Sequence, residues 1–181
     1  MEENRMKKAY SWILILSMVF TVLFSGFACE TVNAATNLKS VYTKFVKQEM
    51  KKGNLPETVY CNMYDFDKNG VKELVVADVG GARAWMSVYT YVNGKIKFLA
   101  DGNDIGYVKG KKYLVSYGSG GCSLYGYDVY KISGGKAKNI CSYLYDEGVY
   151  KKNNKKISEK TYLNFEKTVK FGLGKTFTIS K

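Results

Sequence analysis

Residues 65–74 hold the side chains best suited to chemistry, because their oxygen atoms recur at short, regular intervals. They read Asp-Phe-Asp-Lys-Asn-Gly-Val-Lys-Glu-Leu, and the glycine permits a sharp turn. Calcium prefers about six to eight hard oxygen ligands in a flexible shell. The expected ligands are the side chains of Asp65, Asp67, Asn69 and Glu73 and the backbone carbonyl of Val71, with water completing the shell. The spacing therefore predicts calcium as a cofactor, and a plain polar turn held by Asx hydrogen bonds is the alternative.

The context of this loop separates it from an EF-hand. An EF-hand needs a bidentate Glu at the twelfth position, which is Val76 here. Strand-like residues on both sides, 58–64 and 74–79, indicate that the loop joins two β-strands.

The loop resembles the calcium loop of FG-GAP/VCBS repeats, whose pattern is Asp-x-Asp-x-(Asp/Asn)-Gly-x-x-(Asp/Glu)-Leu. Residues 65–74 match every specified position of that pattern. The wider run 64–76 is similar to small secreted or lipid-anchored proteins of clostridia-type Gram-positive bacteria, which are mostly of unknown function. The chain departs from a true propeller of such repeats because it contains a single loop of this kind.

The N-terminal segment, residues 1–34, reads as an export signal. A basic segment precedes an apolar run at 12–27, and Ala34 closes a small-residue cleavage site. Cleavage there leaves one secreted domain, residues 35–181, with no stable membrane span. Two alternatives stay open, namely lipid attachment at Cys29 and an uncleaved signal that anchors the chain in the membrane.

The charge of the chain restricts its partners. Its 28 Lys and Arg exceed its 16 Asp and Glu, which gives a net charge of +12. Acidic and basic residues are equally numerous in the predicted signal, so residues 35–181 keep this charge. One interpretation is a solvated lysine-rich surface, and the other is attraction to a polyanion. For an exported chain that polyanion is an anionic cell-wall polymer such as teichoic acid, a glycan or the anionic membrane surface, rather than nucleic acid.

Aromatic residues near glycine-rich segments are the candidates for ligand contacts. Tyrosines surround Gly118-Ser-Gly-Gly, and Trp85 follows Gly80-Gly81 at the corresponding place of a weak internal repeat. Tyrosine is favoured at recognition surfaces because its ring is large and amphipathic. The predicted ligand-binding residues are Trp85, Tyr117, Tyr125 and Tyr127. The alternative is that the tyrosines pack the sheet beneath the helices.

No set of residues predicts catalysis. The chain has no histidine, which excludes histidine-based catalysis and histidine metal ligands. Asp101 and Asp104 follow a strand and could share a loop, but their spacing matches no catalytic pattern. Ser119 lacks the strand–elbow–helix context of a hydrolase nucleophile. The favoured function is a secreted, calcium-stabilised binding module at the cell surface, and the alternative is an extracellular hydrolase acting on wall polymer or peptide.

The apolar pattern predicts an α+β fold that is mainly an antiparallel β-meander. An amphipathic helix is expected over 37–52, capped by Asn37, and β-structure over 58–145, with hairpin turns at Asn93-Gly94 and Gly134-Gly135. The internal repeat, in which the segment 74–95 corresponds to 114–136, suggests two propeller-blade-like units. After a polar linker at 151–156, a second helix capped by Ser158 is expected over 159–170, and a short edge strand over 176–179.

Three cysteines follow the predicted signal, Cys61, Cys122 and Cys141, and all are expected to be unpaired. In the second hairpin Ser133 should face Lys136, which sets Cys141 opposite Asp128. Cys122 is then about 20 Å further along its strand at the usual rise per residue, beyond disulfide reach.

Overall fold

A computed structural model describes residues 34–78 and 84–181 of the chain. Residues 38–181 form one compact unit, and of the residues before it only 34–37 are described. The predicted export segment, including Cys29, therefore lies outside the described residues apart from Ala34. The boundary after Ala34 stays a prediction.

The N-terminal helix, α1, spans Ala34–Lys51 and begins three residues before the predicted start. Asn37 is therefore inside the helix and is not its cap, which corrects the prediction. Tyr42, Val46 and Met50 lie four residues apart on one face and are buried. The helix ends where Gly53 adopts a φ of 78°, a left-handed conformation that glycine enters without a steric penalty.

Two antiparallel sheets make up most of the described residues. The strands of the first are β1 Thr58–Tyr64, β2 Glu73–Asp78, β3 Trp85–Val92, β4 Lys95–Gly102 and β12 Phe177–Ser180. The second contains β5 Asp104–Val108, β6 Tyr113–Gly121, β7 Leu124–Ser133, β8 Lys136–Asp146, β9 Val149–Lys152, β10 Lys155–Lys156 and β11 Val169–Phe171. Their orders are β12-β1-β2-β3-β4 and β10-β9-β8-β7-β6-β5-β11. A short helix, α2 Glu159–Glu166, follows β10.

The two sheets pack on each other, with one helix on the outer face of each, as the alternation of side chains along the strands explains. Leu74 of β2 packs toward α1, and its neighbour Val75 packs into a core shared by the two sheets. On the outer face of the second sheet, Tyr162 of α2 packs against Val115 and Tyr127. The prediction of antiparallel β-structure flanked by two helices is therefore confirmed.

The internal repeat corresponds to two similar meanders. β1 to β4 are consecutive neighbours in the first sheet, and β5 to β8 are consecutive neighbours in the second. A late strand pairs with the first strand of each meander, β12 with β1 and β11 with β5. The interpretation of these meanders as propeller blades stays a prediction.

Both hairpin turns form where predicted, but β-bulges change the register beyond them. Val92 faces Lys95 and Ser133 faces Lys136, as expected. A register shift after Val129 then places Cys141 opposite Val129 instead of Asp128, so the predicted pairing was wrong by one residue. Cys61, Cys122 and Cys141 are unpaired, and Cys122 lies in the β6–β7 turn.

The C-terminal region differs from the prediction in two places. Residues 151–156 are not a linker, because β9 and β10 form a hairpin whose turn residues Asn153 and Asn154 adopt φ values of 49° and 64°. α2 is shorter than expected and ends at Glu166, since Val169 pairs with Val108 of β5 and the chain must be extended there. The Ser158 cap is confirmed by the hydrogen bond from Thr161 N to Ser158 Oγ, at 3.3 Å.

Candidate metal centre

The predicted calcium loop connects β1 to β2 at one corner of the first sheet. β1 ends at Tyr64 and β2 begins at Glu73, so the loop does join two antiparallel strands. Lys68 and Gly70 take left-handed φ values of 55° and 89°, which reverse the chain direction. Between them, Asn69 forms an Asx turn by accepting a hydrogen bond from Val71 N at 2.6 Å.

Three carboxylates of this corner converge. Asp65, Asp67 and Glu73 each direct one oxygen to a common region where these oxygens lie within 4.8 Å of one another. The three side chains form the only such group of His, Cys, Asp or Glu among residues 34–78 and 84–181. An all-oxygen set of this kind is suited to a hard divalent cation, so this acidic triad is able to hold a metal ion.

Glu73 is the most informative member of the triad because its side chain is fully buried. Its two oxygens accept hydrogen bonds from Phe66 N at 3.0 Å and from Thr90 Oγ1 at 3.2 Å. Burial, reinforced by the nearby charge of Asp67, raises the pKa of Glu73 to about 7. None of the ion pairs within the described residues involves Glu73. A buried carboxylate without a cationic partner is costly, and a bound cation would compensate its charge.

Asp65 and Asp67 also stabilise the turn itself. Asp65 accepts hydrogen bonds from the backbone N–H groups of Asn69 and Gly70 at 3.1 and 3.0 Å. Asp67 accepts from Asn69 N at 3.2 Å, and burial raises the pKa of Asp67. These bonds agree with the alternative of a plain polar turn, but that alternative leaves the burial of Glu73 unexplained.

The other two predicted ligands are adjacent to the triad without being part of it. The amide nitrogen of Asn69 donates to Asp67 Oδ2 at 3.0 Å, so rotation of this amide is needed before its oxygen faces the triad. Val71 follows in the same turn and donates its N–H to Asn69. Asn69 and Val71 therefore stay predictions as ligands.

Two supporting side chains were missed from the sequence. Thr90 of β3 bonds Glu73, and Tyr42 of α1 donates its hydroxyl to the Lys72 carbonyl at 3.0 Å. Both are buried, and both come from elements distant in sequence from the loop. One partial indication of this role was present in the sequence. Thr90 is polar, yet it lies on the same face of β3 as the buried Val88.

Comparisons with protein-family models, with curated proteins and with solved structures found no match to this chain. The resemblance to FG-GAP/VCBS loops therefore stays a prediction that depends on residues 65–74.

The predicted aromatic ligand residues lie on two sheets. Trp85 begins β3 of the first sheet, and its side chain is 47% exposed. Tyr117 and Tyr125 are half-buried on the second sheet, with ring centroids 6.4 Å apart. Asn103 links the two regions, because it donates to the Ala84 carbonyl at 3.4 Å and accepts from Ser119 N at 2.8 Å.

Tyr127 lies on the same face of β7 as Tyr125 but is more deeply buried. Its side chain is 6% exposed, and its hydroxyl donates to Glu166 Oε1 at 2.6 Å. Tyr125 and Tyr127 both approach Tyr162 of α2, so part of the tyrosine cluster packs the sheet under a helix. That was the alternative interpretation of the sequence, and the packing of Tyr117, Tyr125 and Tyr127 in one cluster with Tyr162 agrees with it.

Two tyrosines of this cluster provide a matched test of buried hydroxyl groups. The Tyr162 hydroxyl is buried and has no hydrogen-bond partner among the described residues, whereas the Tyr127 hydroxyl bonds Glu166. We expect Tyr127→Phe to destabilise the protein by about 1–2 kcal/mol and Tyr162→Phe to be neutral or stabilising by up to about 1 kcal/mol. Urea unfolding midpoints measure both effects. Equal destabilisation by the two variants would contradict the structure at Tyr162.

Asp101 and Asp104, the two acidic residues that could have shared a loop, do not belong to the triad of Asp65, Asp67 and Glu73. Asp101 is exposed on β4. Asp104 begins β5, accepts a hydrogen bond from Ile105 N at 2.8 Å and has a pKa raised by burial.

Of the described helices, none combines the length and the hydropathy needed to cross a bilayer.

Proposed function

We propose that the 65–73 loop binds calcium and that the protein is a secreted, calcium-stabilised binding module at the cell surface. Its ligand is an anionic polymer or a glycan. The cation has a structural role, because it fixes the corner between β1 and β2 to which Tyr42 of α1 and Thr90 of β3 also bond.

The observation that carries the calcium proposal is the fully buried Glu73, which faces two further carboxylates and forms no ion pair among the described residues. Calcium is favoured over magnesium because the loop offers many oxygens in a flexible turn rather than a rigid octahedral set. In this proposal Asn69 and the Val71 carbonyl complete the shell. Ion binding would favour the ionised forms of Asp67 and Glu73, whose neutral forms are favoured by burial.

The binding role is supported by charge and by exposed aromatic surface. The net charge of +12 attracts polyanions, and the exposed Trp85 offers a ring on which a sugar could stack. The carboxylate triad is occupied in this proposal by a structural ion. A second candidate, an extracellular hydrolase, is favoured by one observation only, the half-buried Asp104 with its raised pKa.

Thermal unfolding with and without calcium tests the metal site. A ligand specific for the folded state adds about 2.7 kcal/mol at 100 times its dissociation constant, so wild-type protein should melt several degrees higher in calcium than in chelator. Asp65→Asn should abolish most of this rise because it removes one charged ligand of the triad. Asp101→Asn, which makes the same change in charge at an exposed site, should keep the rise.

Identical melting of wild-type protein in calcium and in chelator would contradict the calcium proposal. Binding to purified wall material, measured in parallel, tests the adhesive role. Turnover of a wall polymer or peptide that Asp104→Asn removes would favour the hydrolase instead.

A further inference from the structure

An open groove of about 790 Å³ lies beside the metal loop and collects positive charge. Four exposed lysines line it, Lys39, Lys68, Lys72 and Lys175, and they come from α1, from the loop and from the segment before β12. Asp65 is the one acidic residue among the described residues that line the groove. Tertiary structure therefore gathers like charges from near both ends of the described chain.

These lysines are not neutralised within the described part of the protein. The ion pairs there join Lys52 to Glu49, Lys151 to Asp146 and Lys181 to Glu57, and none includes a lysine of the groove. Lys39 Nζ instead lies 4.5 Å above the ring of Phe177, a cation–π contact. Four ammonium groups around one opening repel one another, and an anion in the groove would relieve that repulsion.

Apolar side chains also line the groove, which restricts the kind of anion. The lining includes Met63, Tyr64, Leu173 and Phe177 in addition to the lysines. A small inorganic anion makes no use of these side chains. A chain in which anionic groups alternate with carbon-rich units matches both parts of the lining, because its carbon-rich units can contact the apolar side chains while its charges face the lysines.

A second groove that includes a residue of the 65–73 loop also collects lysines. It has a volume of about 350 Å³ and is lined by Asp67 and by Lys111, Lys112 and Lys131. Asp65 of the first groove and Asp67 of the second belong to the same triad, with ligand oxygens within 4.8 Å. Each lysine-rich groove therefore includes one member of the triad, and together the two grooves offer a polymer more basic surface than a single ion could use.

We propose that the groove formed by Lys39, Lys68, Lys72 and Lys175 binds a linear phosphodiester-linked polymer. Lysine is an effective point-charge partner for phosphate, and several such contacts along one chain give affinity through counterion release. The inference deepens the proposed function, on which it rests, because it assigns the anionic ligand class and its surface. A cation bound by Asp65 would also cancel the one negative charge among the described residues of the groove.

Matched lysine variants test this assignment. Lys72→Gln/Lys175→Gln removes two charges from the groove, and Lys155→Gln/Lys156→Gln removes two exposed charges from β10. The hydrogen bonds from Tyr42 and Asn62 end on the backbone carbonyls of Lys72 and Lys175, so they survive the substitutions. The probe is lipid-free poly(glycerol phosphate), with binding measured by titration calorimetry across a series of salt concentrations.

We expect the groove variant to bind the polymer about tenfold more weakly and to lower the slope of log affinity against log salt by about two. The β10 variant should lose less than about twofold in affinity. Equal losses in both variants would overturn the proposal, since they would indicate an undirected basic surface.

Two further arms of the experiment identify the source of the phosphate. Inorganic phosphate at equal phosphate concentration should not compete with the polymer, and effective competition would overturn the polymer assignment. Preferential binding to phosphatidylglycerol vesicles over the free polymer would also overturn the proposal.

The calcium-dependent melting shift of the same variants separates this inference from the proposed calcium site. A groove variant that keeps the full shift but loses polymer binding supports the groove. Polymer binding by wild-type protein that shows no calcium shift would overturn the calcium site and leave the groove supported.

Discussion

In chelator at pH 8, Glu73→Gln is expected to be more stable than the wild-type protein, and in calcium the order should reverse. The wild-type side chain is fully buried and, without a cation, must either ionise in an apolar place or bind a proton. The neutral amide avoids that cost, so the metal-free variant should gain on the order of 1–2 kcal/mol. In calcium the variant lacks a charged ligand and should lose most of the stabilisation by the ion, about 2.7 kcal/mol at 100 times the dissociation constant.

The pH dependence of this difference follows from the direction of the pKa shift. In the metal-free fold the pKa of Glu73 is raised to about 7 from an ordinary value near 4.5. A raised acid pKa means that the contribution of this group to stability is fully present below the ordinary pKa and is lost as the pH rises through the folded-state pKa. The advantage of Glu73→Gln in chelator should therefore grow between pH 4.5 and 7 and then level off.

Calorimetric or fluorescence-detected melting of both proteins at pH 5, 6, 7 and 8 measures this effect. Bound calcium holds the carboxylate ionised, so the calcium-dependent rise in wild-type melting temperature should be larger at pH 8 than at pH 5. If Glu73→Gln is less stable than wild type in chelator at every pH, ionisation of the buried Glu73 carboxylate does not destabilise the metal-free protein. A variant with an undiminished calcium response would remove Glu73 from the ligand set.

Among substitutions in the 65–73 loop, Phe66→Ala should cause the largest loss of stability. Phe66 lies between two triad members in sequence, but its ring is 1% exposed and packs in the core shared by the two sheets with Val75 and Val88. Removing a buried phenylalanine ring costs about 3–5 kcal/mol, a large part of the total stability of a domain of this size. Its backbone N–H also donates to Glu73, so collapse of this region would displace the Glu73 side chain.

The matched control is Phe98→Ala on β4. Because Phe98 is 54% exposed, this substitution should lower the free energy of unfolding by less than about 1 kcal/mol. Phe66→Leu keeps most of the apolar volume and should lose less than Phe66→Ala. Urea unfolding gives all three values. Similar losses for Phe66→Ala and Phe98→Ala would show that the loop is not anchored in the core between the sheets.

Asp65 belongs both to the 65–73 loop and to the lining of the lysine groove. A substitution there is therefore expected to change both the stability of the loop and the charge of the groove. The same carboxylate holds the turn through the N–H groups of Asn69 and Gly70, contributes to the triad and lines the groove. A cation bound to the triad would therefore make the groove more positive, and the two proposals together predict that calcium strengthens the binding of a polyanion.

Features that depend on a few neighbouring residues were predicted from the sequence. The spacing of Asp65, Asp67 and Glu73 predicted a converging oxygen set, because alternate residues of a tight turn point the same way. The turns at Asn93-Gly94 and Gly134-Gly135 and the Ser158 cap depend on the conformational preferences of single residues, so they were predicted correctly. The amphipathic helix at the N-terminal end of the described residues was predicted from the helical spacing of apolar residues, and Tyr42, Val46 and Met50 form its buried face.

Tertiary pairing decided the positions of elements that interact over long distances in sequence. α2 stops at Glu166 because β5 takes the following residues as a strand partner, which nothing in the helix pattern reveals. The bulge after Val129 moved Cys141 by one register position, and only the packing of the whole sheet selects its place. In the same way Thr90 and Tyr42 reach the metal corner from distant elements.

The sequence by itself determined which residues favour a cation and which turns close, because those preferences act over a few neighbouring residues. The burial of Glu73 depends on contacts between strands that are remote in sequence. The approach of Lys39 and Lys175 to the lysines of the loop depends on how α1 and the segment before β12 pack. Only the folded structure decided these two features, since each requires the whole sheet to be in place.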